Sequence, residues 1–214
     1  AAEQVLFLAE KKKLRDVDIV VERNESLDLE IQDSKVEKIE QSTSLGLGVR
    51  VLDEGRTGLA STERLSSESI ELAFKNACEN AKLQDQTDVI MLDAPKEIPD
   101  SSLLDLYNPE LDQLNSDQLM EFVFSIEDSV KAADKRVVSI PYLGVSRGRN
   151  ESFLLSSRGI SYNHRSNEVA AWCGTLLQDG DSRKSGMRIL NRREWDPKAG
   201  KRIGEEAVEK ASEL

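Results

Sequence analysis

The chain has 214 residues, enough for one large domain or two small ones, with 38% hydrophobic and 32% charged residues, a balance that allows a sizeable core. Twenty-nine basic against 40 acidic residues give a net charge of −11, which argues against a general electrostatic pull toward nucleic acid or anionic membrane and suits cationic partners or peptides better. No apolar run approaches the ~18–20 residues that cross a bilayer, and no basic segment with an apolar core and cleavage site opens the chain, so a cytoplasmic protein is the simplest expectation.

Residues 4–15 read as a short helix with Val5, Leu8 and Ala9 on its apolar side and a basic end suited to the helix macrodipole. From Val17 to Thr62, β-branched and leucine positions alternate with charged ones, the period of half-buried antiparallel strands. Five are expected: Val17–Glu22, Ser26–Gln32, Lys35–Ser42, Leu45–Leu52 and Arg56–Thr62. Arg23-Asn24-Glu25, Asp33-Ser34 and Asp53-Glu54-Gly55 are read as turns, the last with a glycine that tolerates positive φ. Leu65-Ser66-Ser67-Glu68 supplies an N-cap and acidic first turn for a helix to about Leu83, with Ile70, Ala73, Ala77 and Ala81 at helical spacing and small enough for close docking.

Between Gln84 and Asn115 the periodicity fails, and Pro95, Pro99 and Pro109 stand among Asp and Ser residues, so a linker is expected. Asn115-Ser116-Asp117 then caps a helix to Ala133 whose stripe is Leu119, Val123, Ile126, Val130 and Ala133. Strands are expected at Val137–Ile140, Gly144–Arg149, Ser152–Ser156, Ile160–Glu168 and Val169–Gln178, and Asp196-Pro197 opens a terminal helix with Ala199, Ile203, Ala207, Ala211 and Leu214 facing inward. The class is α+β, antiparallel sheets with flanking helices in two subdomains: 1–90, a linker over 91–114, and 115–214. The two parts are alike in kind, with too little identity to be read as a repeat. Because the chain begins without Met and stops at Leu214 inside an expected helix, a fragment of a longer protein is the expectation.

Few side chains carry chemistry. The lone His164 cannot supply the H-E-x-x-H spacing in which two imidazoles hold zinc, and a hydrogen-bonding histidine is the simpler reading. Gly46-Leu47-Gly48 resembles the start of a phosphate loop but leads into a strand, so its amides would not converge on an anion. The serines at 156, 157 and 161 lack a G-x-S-x-G elbow. Cys78 and Cys173, far apart and unpaired in spacing, are read as structural thiols. Asp93, Glu97, Asp100, Asp105, Glu110 and Asp112 lack a glycine-centred calcium loop and are read as a solvated linker. Residues 183–202 concentrate Arg183, Lys184, Arg188, Arg192, Arg193, Lys198, Lys201 and Arg202 against Glu194 and Asp196. A solvated loop is the first reading, and a partner-contact surface at Arg188, Arg192 and Arg193 the second. Trp172 is expected in the core, and Trp195 as a staple of the terminal helix.

Gly46-Leu47-Gly48-Val49-Arg50-Val51, Gly55-Arg56-Thr57-Gly58-Leu59-Ala60-Ser61-Thr62 and the alanine-rich helix after Leu65-Ser66 resemble the opening domain of the TldD/PmbA family, often labelled modulators of DNA gyrase. Leu104-Asp105-Leu106-Tyr107-Asn108-Pro109 and Ala132-Ala133-Asp134-Lys135-Arg136-Val137 look closer to its PmbA (TldE) branch. The resemblance spans nearly the whole chain, and its marks are Gly46, Gly48, Arg50, Gly55, Gly58 and Thr62. It implies a TldD–TldE metalloprotease assembly acting on flexible peptides, in which the zinc motif H-E-x-x-x-H belongs to the TldD branch and lies beyond the matched region. This sequence has no such motif, so no catalytic residue and no metal ligand is assigned to it, and zinc is expected only in a partner subunit or a missing domain. The expected role is the N-terminal region of a PmbA-like subunit serving assembly and peptide presentation, its partner a TldD-like subunit or a second copy. The alternatives are the same region of an active TldD-type zinc metalloprotease, or a gyrase or nucleic-acid binding module.

Overall fold

A computed structural model describes residues 1–97 and 101–213, and of 101 and 102 the backbone only. Pro99, Asp100 and Leu214, singled out above, lie outside the described residues. The elements are α1 (Ala2–Lys11), β1 (Asp16–Gln32), β2 (Lys35–Asp53), β3 (Arg56–Thr62), α2 (Ser67–Lys82), α3 (Ser116–Ala133), β4 (Val137–Ser156), β5 (Ser161–Asp179), β6 (Ser182–Arg192) and α4 (Ala199–Ser212). The strands form a six-stranded antiparallel sheet in the order β3-β2-β1-β4-β5-β6. The fold is therefore α+β as expected, and each half of the chain reads helix, three strands, helix.

Nine of the ten expected strands merge into four longer ones, and the tenth, Arg56–Thr62, is β3 itself. β1, β2, β4 and β5 run for 17, 19, 20 and 19 residues, three times the usual strand length of about 5–6. Arg23-Asn24-Glu25 is not a turn but continuous strand, and so is Asn150-Glu151 between the strands expected at Gly144–Arg149 and Ser152–Ser156, where Asn150 Nδ2 donates to Asn24 Oδ1 at 2.7 Å. A tight hairpin requires positive φ in its loop, which Asp33 and Ser34 (49° and 60°) and Glu54 and Gly55 (50° and 77°) supply and residues 23–25 do not. The lapses in apolar alternation have another cause. The chain packs into two units, Ala1–Asn24, Thr43–Leu104 and Asn150–Arg165 in the first, Glu25–Ser42, Asp105–Arg149 and Ser166–Leu214 in the second. The lapses at residues 23–25, 43–44 and 150–151 fall where a long strand passes from one unit to the other. The compact units are thus interleaved along the chain, whereas the expected segments were contiguous.

In the first unit Val17, Ile19, Leu47, Val49 and Val51 present one sheet face to Val5 and Ala9 of α1 and to Ile70, Phe74 and Ala77 of α2. α1 is shorter than expected because Lys13 at φ 57° ends it, and Ser66 Oγ caps α2 by accepting from Ser69 N. In the second unit Leu29, Ile31, Leu143, Val145, Val169, Ala171 and Leu177 meet the stripe of α3 and Ile203, Ala207 and Ala211 of α4. Asn115 and Gln118 form a reciprocal capping box for α3. Ala133, expected in the stripe, is exposed at the last turn. α3 and α4 pack closely because Gly200 and Gly204 leave room; a Cβ on Gly200 would lie 2.1 Å from Ser125 Oγ, and one on Gly204 2.7 Å from the Ile126 carbonyl. Trp195 staples this pair by lying 4.9 Å from the Phe122 ring. Trp172 is half-buried on the opposite face, laid over Gly144, and is not in the core.

Two expectations for irregular segments change. The run 183–202 is not a loop: Ser182–Arg192 is β6, paired with β5 from Asp179↔Ser182 to Val169↔Arg192. Met187 and Ile189 lie exposed while Leu190 packs against the second core, so charge dominates the local pattern. The expected linker 91–114 is fixed at both ends. Arg158 pairs with Asp16 and Asp93, while Leu111 and Leu114 are buried in the second core.

Candidate functional site

The first unit's sheet has one face on its helices and one without. Strand alternation places Asp18, Val20, Glu22 and Asn24 of β1, Ser44, Gly46, Gly48 and Arg50 of β2, and Leu59 and Ser61 of β3 on the helix-free face. Gly46 and Gly48 lack side chains there, and a Cβ built on either meets nothing nearer than the Thr62 carbonyl at 3.9 Å or the Val20 carbonyl at 4.0 Å. The result is an open trough of about 370 Å³ with a glycine floor, lined by Val20, Glu22, Asn24, Ser44, Ser61 and Glu63 among others. Its charged lining is Glu22 and Glu63. Arg50, on the same face, is held by Asp18, with Nε 3.0 Å from Oδ2.

β3 stops beside this trough. Leu47 pairs with Thr62, and the ladder runs from there to Asp53↔Arg56. Thr62 Oγ1 then donates to Arg64 O and accepts from Arg64 N, both at 3.1 Å, turning the chain away. Among the described residues no strand pairs with Thr43–Gly46 on that side, so β2 presents unpaired backbone groups at the mouth of the trough.

The structure thus gathers Gly46, Gly48 and Thr62 around one feature, with Arg50 beside it. Gly55 and Gly58 serve elsewhere. Gly55 takes the turn, and its carbonyl accepts from Thr87 N at 2.8 Å. Gly58 lies beneath α2, where a Cβ would fall 1.9 Å from the Ala77 carbonyl.

The basic candidates differ in their surroundings. Arg188 pairs with Glu206 of α4, as does Arg202 at 3.8 Å, and Lys201 approaches Glu205 at 3.7 Å. Arg192 and Arg193 remain exposed. His164 is half-buried and stacks on Tyr162 at 6.4 Å between ring centroids. Among the described residues no three His, Cys, Asp or Glu side chains gather where a metal ion could be held. Both cysteines are buried and free. Burial raises the Cys78 thiol above its ordinary value and pushes Cys173 up to about 12 from 9.0. Cys173 is therefore expected to resist a maleimide until the chain unfolds. Because its folded value is the higher one, its contribution to stability is complete below pH 9 and declines as pH rises from there toward 12, which a series of alkaline melts measures.

Two polar positions of structural weight gave no signal in the sequence. Asn167 on β5, 3% exposed, accepts from Asn108 N at 2.8 Å and donates to Asn108 O at 2.7 Å and Asp112 Oδ1 at 3.0 Å. Glu127 on α3, 3% exposed, accepts from Ser34 N at 3.0 Å and pairs with Lys131 at 2.8 Å, docking the β1–β2 turn. A lone Asn or Glu in a polar-rich sequence has no periodicity to mark it.

Residues 17–81 match the PmbA/TldA metallopeptidase domain 1, and residues 109–214 the PmbA/TldA metallopeptidase central domain. No curated protein matches the sequence. Among solved structures, TldE from Thermococcus kodakarensis superposes with a TM-score of 0.81 at 20% identity over 99% of this chain and 47% of that one. A protein described as a proposed modulator of a DNA gyrase from Thermotoga maritima gives 0.81 at 19% identity over 99% and 47%, and another from Bacteroides thetaiotaomicron gives 0.84 at 20% over 99% and 48%. The chain thus spans about half the length of the structures it matches, which share its fold. No helix among the described residues is long and apolar enough to cross a membrane. With two consecutive domain models of one family covering most of its length, the chain belongs to the PmbA/TldD metallopeptidase family.

Proposed function

We propose that this chain is the N-terminal region of a PmbA/TldE-type, non-catalytic subunit that builds a peptide-handling metalloprotease assembly and presents extended peptides within it. The observation that carries the reading is the unpaired edge of β2 beyond the end of β3. An exposed edge offers backbone donors and acceptors to any extended chain, which gives recognition largely indifferent to side-chain sequence. One histidine in 214 residues cannot supply H-E-x-x-x-H, so any zinc would be held by a TldD-like partner or by a part of the protein outside this chain. A net charge of −11 and the pairing of Arg188 with Glu206 speak against nucleic acid as the ligand.

The test mixes a protein carrying this chain, at the length of its relatives, with a TldD-like partner. A joint species on a sizing column and faster cleavage of an unfolded peptide are expected. No change in either sinks the proposal. Cleavage by the protein alone, abolished by a zinc chelator, favours an active TldD-type enzyme instead. DNA binding that weakens with salt and disappears when Arg192 and Arg193 are both replaced by alanine would favour the nucleic-acid reading.

A further inference from the structure

The geometry points to the Gly46–Gly48 trough as a receptor for the free N-terminal amine of an extended peptide that adds to the β2 edge at Thr43–Gly46. This rests on the peptide-presenting role proposed above and assigns it a place, a direction and a substrate class. Direction comes from the ladder. β3 runs antiparallel to β2 and ends with Thr62 opposite Leu47, so the next positions in line, Gly46, Leu45 and Ser44, are free on that side among the described residues. A peptide continuing the direction of β3 would place its first residue opposite Gly46 and later ones toward Thr43. Its amine would then abut the end of β3, at the trough.

The trough suits that group in shape and charge. The glycine floor leaves space where side chains would stand: nothing lies within 3.9 Å of a Cβ at Gly46 or 4.0 Å of one at Gly48. The charged lining consists of two carboxylates, Glu22 and Glu63, both exposed and neither in an ion pair among the described residues. Arg50 is held by Asp18, and Arg64, next to Glu63 in the chain, does not line the trough. An acidic recess at the end of an antiparallel addition site complements an ammonium group and opposes a carboxylate. A peptide added in the parallel sense would bring its C-terminal carboxylate to the same two glutamates, so charge selects the antiparallel direction.

The experiment uses this chain and one extended eight-residue peptide carrying a fluorophore at its C-terminus, made with a free and with an acetylated N-terminus, and reads anisotropy at low salt. The free peptide is expected to bind about five-fold more tightly than the acetylated one, the range of a partly solvated charge pair. In a Glu22→Gln/Glu63→Gln double variant that preference should vanish, with the acetylated peptide bound as before. Gly48→Val, which fills the trough without touching the edge, should weaken the free peptide more than the acetylated one. If both peptides bind the unaltered chain equally, the amine site is overturned while the peptide-presenting role stands. If neither binds, both fall.

Discussion

Gly58→Ala and Gly186→Ala are each expected to destabilise their unit by about 3 kcal/mol, the upper range of overpacking, seen as a fall in melting temperature of about 6–12 °C for a chain of this size. The two sites are one device used twice. A Cβ on Gly58 would stand 1.9 Å from the Ala77 carbonyl and 2.5 Å from Ala81 N; one on Gly186 would stand 2.2 Å from the Ala207 carbonyl and 2.5 Å from Ala211 N. In both cases the last strand of a half passes beneath the helix that follows it, and the contact is backbone against backbone, which cannot swing aside. Thr175, paired with Gly186, donates from Oγ1 to the Ala207 carbonyl at 3.1 Å and adds a buried hydrogen bond to the second copy of the device. Gly46→Ala and Gly48→Ala are the controls: their Cβ atoms have open space, so thermal stability should stay within about 0.5 kcal/mol, as at ordinary surface positions. If Gly58→Ala melted like Gly48→Ala, the close docking of α2 described here would be incorrect.

Asn167→Asp is expected to be more harmful at neutral pH than Asn167→Ala. Alanine removes three hydrogen bonds, two of them to the backbone of Asn108, costing about 2–3 kcal/mol. Aspartate keeps an acceptor but replaces the donating Nδ2 by an oxygen facing the carboxylate of Asp112, 3.0 Å away. Two carboxylates at that distance cannot both remain ionised cheaply, so one takes up a proton more readily in the folded than in the unfolded chain. The sign follows: the variant should regain stability as pH falls through the carboxylate range, where a shared proton restores a donor, and lose it as pH rises. Hydrogen exchange over residues 105–114 reads the effect locally, since Leu111 and Leu114 leave the core when this segment loosens. Equal protection in Asn167→Asp and the parent at pH 7 would show that the Asn167 network does not anchor the segment.

Much of the fold was legible in the sequence because local rules agree with the final packing. Apolar alternation over Val17–Thr62, the Asn115 cap with its apolar stripe, and the turns at Asp33-Ser34 and Glu54-Gly55 correspond to observed elements. Where reading failed, two packing environments alternate along one strand. Arg23-Asn24-Glu25 and Asn150-Glu151 carry turn-like residues, yet neighbouring strands hold them extended. β6 was hidden because its charged residues meet α4 or solvent, and a strand with Met187 and Ile189 exposed and Leu190 alone packed on the core lacks the buried alternation that marks the others.

The candidate site shows the same division. By itself the sequence determined the glycine pattern at 46, 48, 55 and 58, the acidic balance, and the presence of one histidine, too few for a zinc motif. These are properties of composition and short spacing, which survive unfolding. Only the tertiary structure decided that the four glycines do three different things: Gly46 and Gly48 floor a trough, Gly55 turns the chain, and Gly58 admits a helix. A glycine's role is set by what stands where its side chain would have been, and that neighbour comes from a distant part of the chain.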